Sequence, residues 1–518
     1  MRSTSNIIIK LFCLLLIGML LMPGALAASM DDSLTLGMIS SKTSRLNPLD
    51  PQEREFQSLT ALIYEGLFAL DDDYRPVPCL AQSCAPDSSG KTWIVTLKSD
   101  VTFSDGTPLT AYDVVATVNE ILRLAEEGKG QYSQIKYIIT GISANDASSL
   151  RITVSRPYYG VYYALTFPVL PESQVQADNP AGTGPYKPDS FSPGAYLYLS
   201  INPLWHGEPP AVHTISVLFE ATNRELIENY EYNTVDAAIT RSASAGQYRT
   251  GLTNLNIPYR TRQLETLLMN ARSASFPLDD VRVRKAIRYA IDADAIASAV
   301  YSGTVVRTDT PMPYNTWMYQ DAEEVYEYNP EKAKALLAEA GWGDSDDDGV
   351  LDIVMDGKPR RLHLRFWVYE EQENTVREQA ASMISAMLRE VGIETEQKTL
   401  NFATVQERLN ARNFDLVLAA FQMDTVPDPG FLLMSGNTCN YGNYKSSKMD
   451  DLFKQLRTAL DPTNYENLLH LIQLQFAEDC PFICLYYRCG ALLTRKAFTA
   501  SRDIREPEIL RGIESIGN

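Results

Sequence analysis

Apolar positions along the chain follow two rhythms. Between residues 279 and 303, DDVRVRKAIRYAIDADAIASAVYSG, the residues Val283, Ala286, Ile287, Ala290 and Ile291 recur at steps of three and one, the stripe of a 3.6-residue helix. Asp279 and Asp280 stand where a helix start wants side-chain acceptors and negative charge. Asp292 can cap a second helix bearing Ile296, Ala299 and Val300, and Gly303 stands where a helix end takes a positive φ. The same period predicts helices at Ser58–Leu67, after Thr110–Asp113 with Val114, Val115, Val118 and Ile121, after Asn329-Pro330 with Ala333, Leu336, Leu337 and Ala340, at 375–390 and over 450–478.

The second rhythm is that of strands. They are predicted at 33–38, Trp93–Leu97, Val212–Phe219, 362–368, Ile393–Thr399, Phe414–Phe421 and Phe482–Tyr487. Strand 362–368, helix 375–390 and strand 393–399 make a βαβ unit, which implies a parallel pair. Phe414–Phe421 is almost continuously apolar, as expected at a buried sheet centre. The chain is therefore of α/β class, and 518 residues allow about three domains.

Charge and termini narrow the partners. A net charge of −19 argues against nucleic acid and an anionic membrane surface as partners. Residues 1–27 read as a cleaved Sec-type signal peptide: Arg2 and Lys10, the apolar run Leu11–Met22, a Pro23-Gly24 break and Ala25-Leu26-Ala27 as cleavage site. Cys13 lacks the small residues of a lipobox, so the mature protein is expected in the periplasm or secreted, unanchored. The remaining cysteines, Cys79, Cys84, Cys439, Cys480, Cys484 and Cys489, are even in number but fix no pairing.

Catalytic and metal motifs are sparse. The histidines are His206, His213, His363 and His470, none in a HExxH spacing, and there is no G-x-S-x-G string, which argues against a hydrolase. Gly182-Thr183-Gly184-Pro185-Tyr186-Lys187 lacks the spacing of a phosphate loop. Asp344, Asp346 and Asp348 open a D-x-D-x-D-G string. Position twelve is Met355 instead of a bidentate Glu, with Asp352 and Asp356 the nearest substitutes. Two readings stand there, a solvated turn and a structural Ca²⁺, and no other cofactor is expected.

Strings elsewhere carry a family resemblance. DDVRVRKAIRYAID, FSDGTPLTAYDVV, GTGPYK running to Asn202, Trp205 and Gly207, and YNPEKAKALLAEAGW are together similar to the family 5 solute-binding proteins of bacterial ABC importers, the oligopeptide, dipeptide and nickel receptors. The resemblance implies a bilobed α/β flytrap of class II with a small β-rich domain inserted in the first lobe. Its expected divisions are 33–70, 186–266 and 489–518 for lobe 1, 71–185 for the insertion and 267–488 for lobe 2. It implies a monomeric, non-enzymatic receptor that closes on a peptide and delivers it to ABC importer permease subunits. Nickel chelate, haem, oligosaccharide and opine are the alternative ligands. FQMDTVPDP at 421–429 is similar to the motif whose Asp holds a peptide's α-ammonium. Asp424 matches that Asp, with Asp428 as competitor, and Phe421 matches an aromatic packed beside the ligand. Gln422, Asn437, Asn440 and Tyr441 complete the expected ligand site.

Overall fold

The helical pair at the centre of the chain forms as its caps dictate. In the computed structural model, the Asp280 side chain accepts from Arg282 N at 2.8 Å and Asp292 from Ala295 N at 2.8 Å, opening helices Val281–Ala290 and Ala293–Val300. Val283, Ala286, Ile287 and Ile296 are fully buried. Arg284 is buried too, against the simple apolar pattern. Its guanidinium donates to the carbonyls of Leu278, Asp279, Asp479 and Cys480 at 2.6–3.0 Å, so it ties the helix start to the end of helix Pro462–Asp479. Four charge-assisted bonds offset the cost of burying the charge. The structure describes residues 32–513 apart from 41, 249–253, 272–276, 315, 321–325, 356, 372–374 and 496–503. The expected signal peptide and Asp356 lie outside the described residues.

One large mixed sheet runs through the molecule. Its strands are β1 (Ser33–Ile39), β2 (Tyr186–Ser192), β3 (Tyr196–Ile201), β4 (Thr214–Glu220), β5 (Ala237–Thr240), β6 (Leu255–Met269), β7 (His363–Tyr369), β8 (Glu394–Leu400), β9 (Leu416–Gln422) and β10 (Phe482–Thr494). They lie in the order β8-β7-β9-β6-β10-β5-β1-β4-β3-β2, with Val305–Arg307 added beside β10. The β7–β8 pair is parallel, as the βαβ reading required. Strands β6 and β10 are the longest, 15 and 13 residues, and connect the two halves. Their register shifts between Arg260 and Leu264, a bulge at the crossing. A separate antiparallel sheet (Ala81–Pro86, Thr92–Leu97, Ser149–Val154, Ile139–Ala144) packs on helix Ala111–Glu126. That helix opens with the expected capping box, Asp113 Oδ2 accepting from Thr110 N at 2.7 Å.

Several boundaries differ from the sequence pattern. The helix expected at Ser58–Leu67 ends at Ile63, because Tyr64 turns extended. The glycines of GTGPYK explain the turn. A Cβ on Gly182 would meet Ile63 O at 2.0 Å, and Gly184 N donates to the same oxygen at 2.9 Å. These glycines serve close backbone approach, as the absence of a phosphate-loop spacing suggested. The stretch 450–478 is two helices, Ser447–Leu456 and Pro462–Asp479, because Asp461 caps and Pro462 starts a new one. Strand β10 runs seven residues beyond the expected Tyr487. Strand β6 is a strand that the apolar pattern did not predict; Pro258 and polar Arg260–Gln263 interrupt its alternation.

Two large apolar cores result. One gathers Leu267, Val283, Ile287, Ala333, Phe366, Ile384, Leu416 and Tyr486 around one half of the sheet. The other joins Leu36, Phe56, Trp93, Val118 and Ile215 with Tyr465 and Ile472 of the late helices.

Candidate functional site

A cavity of about 1310 Å³ opens where these parts meet. Its walls come from the segment after helix Gln57–Ile63, from 131–138 and 155–168, from the β6 bulge, from 311–318, from the segment after β9 and from 505–511. It is large enough for a ligand of several residues and carries both apolar and polar groups.

The two carboxylates that sequence left in competition are separated by their partners. Asp428 is committed to the fold: Arg457 Nε donates to its Oδ2 at 2.6 Å and Nη2 to Oδ1 at 3.1 Å, while Gly430 N also donates to Oδ1. Asp424 is exposed on the cavity wall. Its Oδ1 accepts from Thr425 N at 2.7 Å and, more loosely, from Thr425 Oγ1 and Val426 N. This turn aims the carboxylate, and its Oδ2 has no protein donor among the described residues.

The other expected ligand residues divide. Gln422 and Asn437 line the cavity with Asp424. Asn437 Nδ2 donates to Gly430 O at 2.5 Å, which holds the loop after the short helix Gly430–Leu433. Phe421 lies outside the lining, stacked on Tyr441 at 6.3 Å and 20°, with Phe431, a lining residue, edge-on to it. Tyr441 also lies outside, its hydroxyl accepting from Gln406. Asn440 is buried, donating to Met434 O and Tyr444 O and accepting from Tyr444 N. It shapes the loop and does not reach the cavity, because its amide is fully used.

Strand β6 supplies what the sequence pattern missed. Arg260, Thr261 and Arg262 line the cavity at the bulge. Arg262 is bound through its backbone: its carbonyl accepts from Met423 N at 2.8 Å and its N–H donates to Glu506 Oε2 at 3.3 Å. Its Nε is buried without an acceptor. Burial pushes the Arg262 guanidinium below its ordinary range, while the nearby Asp424 charge acts the other way. On the wall behind helix Gln57–Ile63, Glu65 accepts from Trp205 Nε1 at 3.4 Å and lies 3.0 Å from His206 Nε2. The paired arginines, the polar run 260–263 and Pro258 were the sequence signals of this wall.

The acidic loop stands apart from the cavity. The carboxylates of Asp344, Asp346 and Asp348 converge within 4.8 Å of one another and are exposed. Asp344 already accepts from Asp348 N and Gly349 N, Asp348 pairs with Arg361 at 2.7 Å, and Asp352 accepts from Ser345 N and Oγ. Two of the three carboxylates are thus engaged, Asp344 by the backbone of the turn and Asp348 by one arginine. Cys79, Cys84, Cys439, Cys480, Cys484 and Cys489 are all free thiols.

Comparison with known proteins agrees with this architecture. Residues 75–443 match the family described as bacterial extracellular solute-binding proteins, family 5 (middle). The oligopeptide-binding protein AppA of Bacillus subtilis is 27% identical over 480 residues, 88% of this chain and 86% of that protein. The nickel-binding periplasmic protein of Escherichia coli is 25% identical over 371 residues, 67% and 68% of the two chains. The crystal structure of a nickel ABC transporter from Bacillus halodurans superposes with a TM-score of 0.78 at 20% identity, covering 92% of this chain and 98% of that one. The fold is thus the bilobed α/β fold of solute-binding receptors. The chain belongs to family 5 of the bacterial extracellular solute-binding proteins. No helix among the described residues is long and apolar enough to cross a membrane.

Proposed function

We propose that the chain captures a di- or oligopeptide in the cavity and delivers it to the permease of an ABC importer. The observation that carries this reading is the state of Asp424. It is a cavity carboxylate held by its own turn with one oxygen unspent, at the position that matches the family motif, while its competitor Asp428 is locked to Arg457. A carboxylate so placed meets an α-ammonium in a charge-assisted hydrogen bond, strengthened when closure excludes water. The oligopeptide-binding relative, similar over most of both chains, supports the peptide class. The nickel-binding relative supports a metal chelate as second reading. Histidine placement favours the first: the cavity lining holds no histidine among the described residues, His206 is engaged by Glu65, and His363 is exposed at the start of β7. The receptor acts as a monomer outside the cytoplasm, after removal of residues 1–27.

The experiment is thermal unfolding of the mature protein, refolded free of carried-over ligand, against peptides of two to eight residues. A peptide at 100 times its Kd adds roughly 2.7 kcal/mol of stability. A subset of peptides is expected to raise the midpoint. A flat response to every peptide, with a shift on adding a nickel chelate, contradicts the peptide reading and supports the second.

A further inference from the structure

We infer that the cavity carries an aromatic subsite, built by Tyr74, Arg260, Val306, Pro311, Pro313 and Tyr314, that takes a phenylalanine, tyrosine or tryptophan side chain of the ligand. This assignment rests on the peptide reading above and specifies it. All of these residues line the cavity, and their contacts join them into one wall. Val306 pairs with Tyr487 of β10, whose hydroxyl donates to Pro311 O at 2.7 Å. Arg260 Nη1 donates to Tyr314 O at 3.0 Å, and the same guanidinium lies 5.4 Å from the centre of the Tyr74 ring. Arg260 is two positions from Arg262 on β6, roughly 7 Å along a strand, and Arg262 O accepts from Met423 N beside Asp424. An extended peptide with its ammonium on Asp424 therefore reaches this wall within a few residues.

The first support is which groups of the wall are already used. Tyr74 O accepts from Tyr163 Oη at 3.0 Å and from Trp317 Nε1 at 3.3 Å. Pro311 O is taken by Tyr487, Pro313 O by Thr316 Oγ1 and Tyr314 O by Arg260. Pro311 and Pro313 have no N–H to give, and Val306 is paired in the sheet. What the wall offers a ligand is carbon, ring faces and the Arg260 cation. Tyr314 is 40% exposed, and Val306, Pro313 and Tyr74 are half-buried. An apolar side chain laid there removes this area from water, and an aromatic one also meets the guanidinium.

The second support is the backbone of Tyr74. It stands at φ +65° in the tight turn 71–75, between strands Phe68–Leu70 and Pro76–Pro78. This left-handed conformation ordinarily falls to glycine. Asp71 closes the turn, its N–H donating to Arg75 O at 2.9 Å and its Oδ1 accepting from Arg75 N at 2.8 Å. None of these bonds needs a ring at position 74. Arg505, 3.9 Å from the ring centre, and Arg260 pin that ring at the cavity wall. A tyrosine held where glycine fits better is a side chain kept for what it meets.

The test uses peptides of three to eight residues, alanine and serine with free termini and one guest residue at any position. Three pools carry an aromatic, an acidic or an alanine guest. Titration calorimetry measures their affinity for the wild type, Tyr314→Ala, Tyr314→Phe and Tyr74→Gly. The wild type is expected to bind the aromatic pool ten- to a hundredfold more tightly than the alanine pool, the range for burying one large apolar side chain. Tyr314→Ala and Tyr74→Gly should each shrink that ratio, and Tyr314→Phe should keep it. A role in holding the fold alone would weaken every pool alike and leave the ratio unchanged, which counts against the assignment. Equal wild-type affinity for the aromatic and alanine pools, or a tighter hold on the acidic pool, overturns the subsite and leaves the peptide reading intact. Binding of no pool overturns both. The comparison of pools on the wild type stands even if a variant fails to fold.

Discussion

Arg457 grips Asp428 through two parallel hydrogen bonds, Nε to Oδ2 at 2.6 Å and Nη2 to Oδ1 at 3.1 Å. The pair is mostly buried, and it decides which of two neighbouring carboxylates can serve a ligand. Burial alone would lower the arginine's affinity for its proton, but the bonds to Asp428 outweigh it and raise it. Arg457→Met leaves Asp428 half-buried and unpaired. Urea unfolding should show a loss of about 2 kcal/mol. The change should act on stability first, because the freed Asp428 also loosens the turn before Gly430.

Glu265 is the second charge with a predictable cost. It sits on β6, fully buried, with Arg377 Nη2 at 2.6 Å and Arg488 Nε of β10 at 2.5 Å, and Glu371 completes the network. Burial alone would raise its carboxyl, but the charges of Arg377 and Arg488 outweigh that and hold it below the ordinary range. A folded-state value below the unfolded 4.5 gives stability that is complete above 4.5 and lost as pH falls through the folded value. Glu265→Gln should cost about 3–5 kcal/mol at pH 7. The gap from wild type should narrow in urea titrations at pH 3. A gap that does not change with pH would count against this network.

The thiols should be silent. Burial raises Cys480 and Cys489 to about 11 and Cys84 to about 12, so little thiolate exists at pH 8. Alkylation of the native protein at pH 8, read by mass spectrometry, should mark Cys439, which is partly exposed, before the buried three near residue 484. A reductant should leave the melting temperature unchanged.

The acidic loop should not answer to calcium. Asp348 already pairs with Arg361 and Asp344 with two backbone N–H groups. Exchanging a chelator for millimolar Ca²⁺, enough for the weak sites of extracellular modules, should leave the melting temperature unchanged. A clear rise would assign a structural Ca²⁺ to Asp344, Asp346 and Asp348.

How much of this was legible depended on range. Caps at Asp280, Asp292 and Asn329, and the parallel pair around helix Val376–Glu390, follow from contacts within a few residues, and the pattern reads them directly. Arg262 could not be read that way. Its strand alternates poorly, and its place on the cavity wall depends on pairing with β9 some 160 residues later and on Glu506. Asn440 shows the opposite error. A polar residue soon after the cleft strand looked free, but the fold uses every polar atom of its amide on Met434 and Tyr444. Sequence shows which groups exist, and only tertiary structure shows which are already spent.

The most direct test of the central claim is a binding cycle at Asp424. The affinity of one peptide pool, with free and with acetylated N-termini, is measured for the wild type and for Asp424→Asn. Acetylation and Asp424→Asn should each weaken binding by ten- to a hundredfold, and the two together little more than either alone, because both remove one contact. If acetylation costs the variant as much as it costs the wild type, the ammonium rests elsewhere and the account of this cavity is wrong.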